Sequence, residues 1–268
     1  MTEKTQVITL TTDFGCKDSF VGIMKGVILS IQPNVKIVDI THEVERHNIE
    51  EALYTLTYSY AYFPAGTIHV VVVDPGVGSG RRPLLVQGEQ YLFLAPDNGV
   101  LSFLYDEENK CTVRVIESDH YFRKPVSQTF HGRDIFAPVA AWLGKGIKPE
   151  NVGPVISDYS RLNIPQLLIS DQCIRGEILY VDRFGNLITN IQKRHLDSVA
   201  GEKGEIAVEC KGVTVRGLYA SYADNTTGLP GIIINSFDLL EIFCYKGSVQ
   251  ETTGLQRGDR IQVCLGKK

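Results

Sequence analysis

The chain has 268 residues, of which 43% are hydrophobic and 22% are charged, and its formal net charge is −4. This balance is typical of a globular protein with one large or two modest domains, and the slight negative charge gives no reason to expect nucleic acid as a partner. No apolar stretch is long enough to span a membrane and the first residues lack the apolar core of a signal peptide, so we predict a cytoplasmic protein.

The patterns in the first part of the chain predict, in order, a strand at 7–14, a helix at 19–32, a strand at 35–40, a helix at 49–62 and a strand at 68–73. Apolar residues three and four apart indicate the helices, and Pro33 ends the first of them. Four consecutive valines in the last strand are typical of a strand that is buried on both faces of a parallel sheet. This β-α-β-α-β order predicts a mostly parallel sheet with helical crossovers.

Less regular patterns follow, and they predict strands at 84–86 and 91–94, a turn at 95–99 and a helix at 134–143. Residues 149–165 are polar and contain prolines, and we interpret them as a connection to a second unit.

From residue 173 onward, short strand patterns separated by glycine turns indicate a smaller antiparallel β domain, a sandwich or a barrel. These strands are predicted at 174–181, 187–191, 205–209, 232–234, 239–243 and 260–263. We therefore predict an α/β N-terminal domain over residues 1–160 and a β-rich C-terminal domain over residues 161–268.

The six cysteines are scattered, with no Cys-x-x-Cys pair and no Cys/His spacing of the kind that binds zinc. They are Cys16, Cys111, Cys173, Cys210, Cys244 and Cys264. In a chain of this size we interpret them as reduced and mostly buried thiols, so we expect neither a disulfide nor a metal site.

The most informative segment begins where the valine strand ends. Residues 74–82 contain Asp74, a proline, three glycines and the pair Arg81 and Arg82. Ligands of open α/β sheets bind beyond the carboxyl ends of the strands, which is where this segment lies. An ordinary turn explains the proline and glycines equally well, and Arg82 is most simply a solvated side chain. Neither nucleotide motif is complete, because Arg81 stands where the dinucleotide pattern requires glycine and no phosphate-loop lysine follows.

Other candidate residues are weak when each is taken singly. Asp13, at the end of the first strand, is well placed to accept both hydroxyls of a ribose, whereas Asp18 is as well explained as a cap of the following helix. His131 alone is better explained as a hydrogen-bonded core histidine. Arg133 and Asp134 are compatible with a local ion pair, with Asp134 capping a helix.

Taken together, these residues belong to short motifs that occur in a specific order. The motifs are Thr12-Asp13-Phe14-Gly15, Asp74-Pro75-Gly76-Val77-Gly78 with Arg81-Arg82, Ala95-Pro96-Asp97-Asn98-Gly99, Phe130-His131-Gly132-Arg133-Asp134, Asp182-Arg183-Phe184-Gly185-Asn186 and Asn235-Ser236. The ordered set closely resembles the S-adenosylmethionine hydroxide adenosyltransferase family, relatives of the bacterial fluorinase and chlorinase. The resemblance extends from residue 7 to about residue 250. It implies an enzyme that uses water to cleave S-adenosylmethionine into adenosine and methionine.

The resemblance also implies roles for residues at matching positions. In that family an aspartate, an arginine and a histidine surround the attacking water, and they correspond to Asp74, Arg81 and His131. The ribose-binding acid corresponds to Asp13, and the acid near it to Asp18. The positions that hold the methionine end and the adenine correspond to Asp182, Asn186, Ser236 and Tyr222.

The chemistry suits these residue types. The sulfonium leaves as a neutral thioether and needs no acid, so the task is to aim and activate water for in-line attack at the ribose C5′. Asp74, kept ionised by Arg81, can accept a hydrogen bond from that water. His131 can orient the water and take its proton. Since displacement at a sulfonium needs neither a redox group nor a Lewis acid, we expect no cofactor and no metal.

Two departures from the relatives bear on the subclass. The fluorinase has a tyrosine where Asp74 stands and an extra loop after this segment, which this chain lacks. A carboxylate would repel a halide at close range, so Asp74 favours water over fluoride or chloride. Lys246, in the loop at 243–248, is unexpected near the substrate.

Two other functions remain open at this point, a halogenating relative and a protein that binds adenosine or S-adenosylmethionine without turnover. The relatives are trimers whose sites lie between the N-terminal domain of one subunit and the C-terminal domain of the next. The resemblance therefore implies a homotrimer with sites between subunits and a small-molecule substrate.

Overall fold

The computed structural model describes residues 5–105, 110–170, 173–199 and 205–266. The chain divides into two compact units, Met1–Leu162 and Asn163–Lys268. The first contains a mostly parallel sheet with helices and the second a mostly antiparallel sheet, so the predicted fold class is confirmed.

In the N-terminal unit, the described residues form one sheet in the order β2-β1-β3-β5-β4-β6. The elements are β1 (Val7–Thr12), α1 (Phe20–Ile31), β2 (Lys36–Thr41), α2 (Ile49–Thr57), β3 (Ile68–Val72), β4 (Pro83–Gln87), β5 (Leu92–Pro96), β6 (Thr112–Val115) and α3 (Ala137–Gly144). The neighbours β2, β1, β3 and β5 run parallel, whereas β4 is antiparallel to both β5 and β6. All five residues of β3 are buried, as the valine run predicts.

Helix α1 buries the apolar face that the residue spacing predicts. It buries Val21, Met24 and Ile28, which lie three and four residues apart and therefore on one face. This face contributes to the same core as Val70 of β3 and Phe136. The helix packs against α3 within this core.

The helical segment that leads into α3 begins earlier and less regularly than the helix predicted at 134–143. A π-helical turn, Gly132–Phe136, precedes it, and His131 lies directly before that turn. A Cβ on Gly132 would lie 3.1 Å from the sulfur of Met24 and 3.2 Å from the ring of Phe130. The glycine thus allows the turn to pack closely against α1, and π-helical turns frequently accompany functional sites.

In the C-terminal unit, the described residues form a sheet in the order β11-β10-β15-β8-β9-β14-β13-β12, with β7 paired to β8. The elements are β7 (Leu168–Ile169), β8 (Cys173–Val181), β9 (Leu187–Gln192), α4 (Lys193–Val199), β10 (Glu205–Cys210), β11 (Val213–Arg216), β12 (Leu218–Tyr219), β13 (Gly231–Ile234), β14 (Leu239–Phe243), α5 (Val249–Thr253) and β15 (Arg260–Gly266). The pairings are antiparallel except for that of β12 with β13. The short strands β6, β7, β11 and β12 were not predicted, because two to four residues carry too little alternation to be recognised.

The cysteine prediction is wrong for one pair. Strands β8 and β15 are antiparallel, and their register places Cys173 opposite Cys264. The two Cα atoms are 4.4 Å apart and the sulfurs form a disulfide. Cys16 is exposed, so the expectation of mostly buried thiols also fails there. Sequence spacing could not show the pair, since 91 residues separate its members and only the strand register brings them together.

Membrane insertion finds no support in the described part of the chain, where no helix has both the length and the apolar character to cross a bilayer. The first four residues, on which part of the localisation argument rests, lie outside the described residues.

Candidate active site

Beyond the end of β3, Asp74 and Arg81, which are seven residues apart, meet His131 from a segment 50 residues after Arg81. The Asp74 carboxylate accepts a hydrogen bond from Arg81 Nε at 3.0 Å and a second, through its other oxygen, from Arg81 Nη2. The same Nη2 contacts Nδ1 of His131 at 2.6 Å. The side chains of Asp74 and Arg81 are only 5% and 9% exposed. We call this group the Asp74–Arg81–His131 cluster.

The Arg81 contact fixes the proton position on His131. Arginine only donates hydrogen bonds, so Nδ1 of His131 is the acceptor and the neutral ring carries its proton on Nε2. Burial lowers the pKa of His131, and the adjacent positive charge of Arg81 lowers it further. The neutral imidazole therefore presents an N–H donor at Nε2. This geometry leaves Nε2–H as the donor of the neutral ring, and the proton-accepting role expected from the sequence stays a prediction.

The loop that carries Arg81 depends on a glycine. Gly78 has φ +78°, and a Cβ on it would overlap the carbonyl oxygen of Gln128. Any other residue would be strained there and would push the loop away from the segment before His131. The glycine spacing, which the sequence also explained as an ordinary turn, therefore permits the two halves of the cluster to approach each other.

Arg82 has a different set of partners from Arg81. It donates from Nε and Nη2 to Asp97 at 2.9 and 2.7 Å, and from Nη1 to the Asp158 carboxylate at 2.9 Å. Its side chain is 32% exposed. Arg82 is therefore partly solvated, as interpreted from the sequence, but it also forms ion pairs with Asp97 and Asp158. The structure brings Arg81, and not Arg82, into contact with Asp74.

A local ion pair lies in the segment that directly follows His131. Arg133 donates to Asp134 at 2.6 and 2.8 Å, as one interpretation of the sequence expected. The buried Asp134 carboxylate also accepts from the backbone N of Ser127 at 2.9 Å. Burial raises the pKa of Asp134, but the hydrogen bonds from Arg133 and Ser127 outweigh it and the net pKa is lowered. Asp134 thus stays charged and anchors the segment that leads into His131.

Asp74 and His131 open onto a pocket of about 260 Å³, here called the N-terminal pocket. Asp13 also lines it, and its carboxylate accepts from the backbone N of His47 at 3.0 Å. Three aromatic rings, which the sequence analysis did not single out, form an apolar wall. They are Phe14, Phe20 and Phe130, with the ring of Phe130 edge-on to the other two. Single aromatic residues carry no signal in the sequence, so only their convergence identifies them.

Asp18 does not line this pocket. It is exposed and precedes Ser19, the N-cap residue of α1, whose side chain makes no capping hydrogen bond. Neither the ribose-side role nor the capping interpretation thus has a contact in this structure.

A larger pocket of about 700 Å³ lies within the C-terminal unit and is here called the C-terminal pocket. Asp182, Asn186 and Tyr222 line it together with Lys246, whose Nζ lies 5.2 Å from the ring centre of Tyr245. The unexpected lysine is therefore a pocket residue. Ser236, by contrast, is exposed in the turn between β13 and β14 and is not part of the lining.

The polar residues of the C-terminal pocket mainly hold their own turn. One oxygen of Asp182 accepts from the backbone N atoms of Phe184 and Asn186 at 2.8 and 2.9 Å, and the other accepts from Asn186 Nδ2 at 3.1 Å. This turn projects the ring of Phe184 into solvent at the pocket. The motif therefore shapes a surface in which an aromatic ring is displayed.

Tyr222 rests on a residue that the sequence analysis missed. Its hydroxyl donates to Glu241 Oε1 at 3.0 Å. Burial raises the pKa of Tyr222 to about 12, with a further contribution from the charge of Glu241. The sequence did contain a signal for Glu241, because a glutamate stands inside the apolar strand Leu239–Phe243.

Within the described residues, no group of three or more His, Cys, Asp or Glu side chains is arranged to hold a metal ion.

Comparisons with known proteins agree over nearly the whole chain. Residues 8–153 match the SAM hydroxide adenosyltransferase N-terminal domain, and residues 176–262 match the C-terminal domain of that name. The chain is 33% identical to the (R)-S-adenosyl-L-methionine hydrolase of Thermus thermophilus, over 94% of this chain and 97% of that protein. The protein of the same name from Methanocaldococcus jannaschii is also 33% identical, over 96% and 95% of the two chains.

More distant and structural relatives are consistent with these matches. The fluorinase of Actinopolyspora mzabensis is 25% identical, over 96% of each chain. The crystal structure of an uncharacterized conserved protein from Thermotoga maritima superimposes with a TM-score of 0.89 at 36% identity, covering 96% of this chain and 99% of that one.

Proposed function

The chain belongs to the SAM hydroxide adenosyltransferase family and is an S-adenosyl-L-methionine hydrolase, and we propose that its Asp74–Arg81–His131 cluster aims the attacking water. The observation that carries this proposal is the position of Arg81, whose Nη2 bonds both to Asp74 and to Nδ1 of His131. One guanidinium thereby orients an acceptor and a donor beside the same pocket.

In the proposed reaction, Asp74 and His131 bind one water molecule in complementary ways. The Asp74 carboxylate accepts a hydrogen bond from the water, and Nε2–H of His131 donates to one of its lone pairs. The remaining lone pair is then directed at the ribose C5′. The C5′–O bond forms as the C5′–S bond breaks, its electron pair stays on sulfur, and methionine leaves as a neutral thioether.

Asp74 stabilises the positive charge that develops on the attacking oxygen, and the water's proton passes by way of this carboxylate to solvent. Holding water and carbon in near-attack geometry supplies a further share of the rate. Nη1 of Arg81 is buried and has no hydrogen-bond partner among the described residues. Arg81 therefore keeps a donor for a group bound at the cluster, since buried donors are rarely left unpaired.

The reaction is tested with purified protein and S-adenosylmethionine in halide-free buffer made with ¹⁸O-labelled water. We expect equal amounts of adenosine and methionine, with the label in the 5′-hydroxyl of adenosine. Asp74→Ala and His131→Ala should lose this activity, while Glu117→Gln, which changes an exposed acid of the same unit, should retain it. Ligand binding measured by calorimetry without any product would instead support a binding protein.

A halogenating reaction is the second candidate, and the same assay tests it. Addition of chloride or fluoride should leave the products unchanged, because the Asp74 carboxylate lines the N-terminal pocket and repels an anion there. Formation of a 5′-halogenated adenosine would contradict this assignment.

The epimer of the substrate is a further part of the proposal. The relatives from Thermus thermophilus and Methanocaldococcus jannaschii are named for the (R) epimer at sulfur. We extend that preference to this chain. In-line attack at C5′ fixes the direction of the C5′–S bond. The other two substituents of the pyramidal sulfur then point in different directions in the two epimers, so the site can fit only one of them well. Separate assays of the two purified epimers should show a higher kcat/KM for (R), and equal values would refute the preference.

The reaction needs no cofactor, since the sulfonium itself is the activated leaving group. Dialysis against a chelator should leave the rate unchanged, and a loss restored by a divalent metal would contradict this.

A cytoplasmic location remains a prediction, which fractionation of cells and immunodetection would test.

A homotrimer with sites shared between subunits is the assembly that we propose. It is supported by the separation of the candidate residues into two pockets, each confined to one unit of the chain. Asp74→Asn and Asn186→Ala variants, each with a strongly reduced kcat/KM when assayed alone, should recover partial activity when mixed under conditions of verified subunit exchange. No recovery would exclude a shared site.

A further inference from the structure

Glu241 is a buried acid that the proposed reaction does not use. It lies in β14 between Leu240 and Ile242, whose side chains belong to the core of the C-terminal unit. Because side chains alternate along a strand, Glu241 faces the opposite side of the sheet. It is nevertheless only 3% exposed. A leucine would fill such a position at lower desolvation cost, so packing alone does not explain the carboxylate.

Its two oxygens hold two separate parts of the chain. Oε1 accepts from the hydroxyl of Tyr222 at 3.0 Å, and Oε2 accepts from Nδ2 of Asn235 at 3.1 Å. Burial raises the pKa of Glu241, while these two hydrogen bonds lower it less. Both donors are neutral, and Asp182 is the charged side chain that acts on Glu241 most directly. The carboxylate thus serves two neutral donors, in keeping with a part in orienting them.

Asn235 is itself fixed, which makes Glu241 a rigid anchor. Its side-chain oxygen accepts from the backbone N atoms of Phe237 and Leu239 at 2.9 and 3.1 Å, so its amide group has one orientation. Glu241 is therefore held at one oxygen by a fixed donor. Its other oxygen is left at a defined position for Tyr222.

The ring of Tyr222 is held at two points and open at its face. Besides the hydroxyl bond, its ring lies edge-on to Phe243, with centroids 5.2 Å apart and an interplanar angle of 80°. The residue remains 44% exposed and lines the C-terminal pocket together with the displayed ring of Phe184. A flat aromatic base can stack on rings presented in this way.

We propose that Glu241 is a positioning residue that anchors the hydroxyl of Tyr222 and so holds the Tyr222 ring ready to stack on the adenine of the substrate. The identity of the ligand rests on the proposed function, whereas the anchoring rests on the contacts of Glu241 alone. Preorganising the ring removes the entropy of ordering it on binding, so the effect falls on affinity and not on the chemical step.

Two substitutions separate the anchor from the charge. In Glu241→Gln, the side-chain oxygen can still accept from Asn235 and the amide N–H can donate to the oxygen of Tyr222, so the anchor survives without the charge. Glu241→Leu fills the volume but removes both contacts. Tyr222→Phe removes the hydroxyl and keeps the ring. Glu209→Gln, an exposed acid on β10, is the matched control.

The experiment measures adenosine binding by calorimetry, which needs no turnover, and kcat and KM with S-adenosylmethionine for the same proteins. We expect Glu241→Leu and Tyr222→Phe each to weaken adenosine binding and raise KM about five-fold, the effect of roughly one hydrogen bond. Their kcat should change less than two-fold. The double variant should be no weaker than either single variant, and Glu241→Gln should bind within about two-fold of the control.

The proposal is overturned if Glu241→Leu binds adenosine normally, if the two single effects add in the double variant, or if Glu241→Gln is as weak as Glu241→Leu. A loss of kcat without a change of affinity would also overturn it, since that outcome indicates a general structural role. Should Glu241→Leu fail to fold, Glu241→Gln carries the test: Tyr222→Phe should weaken adenosine binding about five-fold in the wild-type and in the Glu241→Gln background alike, because Gln keeps the anchor, and an unchanged affinity in both backgrounds would overturn the proposal. Normal adenosine binding without hydrolysis would refute the proposed reaction and leave the anchor intact.

Discussion

The two pockets of this chain are built in opposite ways. In the N-terminal pocket, polar side chains of two segments meet, so that Asp74 and Arg81 form a single hydrogen-bonded group with the neutral ring of His131. In the C-terminal pocket, Asp182 and Asn186 satisfy each other within one turn, and the rings of Phe184, Tyr222 and Tyr245 are part of the lining. The first arrangement suits the activation of water, whereas the second suits recognition of a flat ring by shape and stacking.

The difference predicts that substitutions in the first pocket change kcat and those in the second change KM. The largest effect should come from Asp74→Asn, which keeps the shape but removes the negative charge, replaces one of the two acceptor oxygens by an NH2 donor and leaves Arg81 with an unbalanced charge. We expect kcat to fall about a thousand-fold with KM little changed, in line with the loss of a main electrostatic contact. Steady-state kinetics measure this, and a variant with wild-type kcat would exclude Asp74 from the reaction.

The C-terminal unit is also cross-linked covalently, by the Cys173–Cys264 disulfide between β8 and β15. The bridge closes a loop with a sequence separation of 91 residues. Chain entropy alone predicts that Cys173→Ser with Cys264→Ser lowers the free energy of unfolding by about 4–5 kcal/mol. Denaturant unfolding with and without reductant tests this. Equal midpoints for the oxidised wild-type chain and the variant would contradict it.

His131 provides a third test through its protonation state. The pKa of His131 lies below its ordinary value of 6.5, so the ring stays neutral at pH 7 and gains a proton only as the pH falls below 6.5. The protonated ring cannot accept from Arg81, and the cluster would then separate. We therefore expect kcat/KM to be level near pH 7 and to decline on an acid limb whose midpoint lies below pH 6.5. A midpoint above that value would contradict the burial of this side chain.

Substitution of the same residue sharpens the test of its donor role. Asparagine also offers an oxygen acceptor and an N–H donor, so His131→Asn should retain about ten-fold more activity than His131→Ala, since a donated hydrogen bond to the reacting group is preserved. Equal losses in the two variants would favour a proton-accepting role, which an amide cannot fill.

The smallest effect concerns residues that touch neither the cluster nor the pockets. Asp97 binds Arg82, the neighbour of Arg81, and also accepts from the backbone N of Ser160 at 2.7 Å. Asp97→Asn should loosen the Arg81 loop and lower kcat about ten-fold with little effect on KM, as a misplaced catalytic group does. Asp158→Asn, which changes the exposed second partner of Arg82, serves as the control and should lower kcat less. Equal, undiminished activity in both would show that Arg82 does not position Arg81.

The sequence by itself determined the kinds of element and their order. Periodicities of 3.6 and 2 residues are local properties, so the helix α1, the buried strand β3 and the change to short strands after residue 173 could be predicted from them. The ordered motifs likewise identified the family and the candidates Asp74, Arg81 and His131, because their spacing along the chain is directly visible.

Only the tertiary structure decided which side chains meet. Arg81 and Arg82 are adjacent and chemically identical, and they are distinguished by Asp97 and Asp158, which are remote in sequence. The Cys173–Cys264 pair depends on strand register, and the ring nitrogen of His131 that carries the proton depends on the direction from which Arg81 approaches the ring. Asp18 and Ser236 match the family positions, yet both are exposed and line neither pocket. Contacts between distant segments are set by packing of the whole unit, and no local pattern in the sequence contains that information.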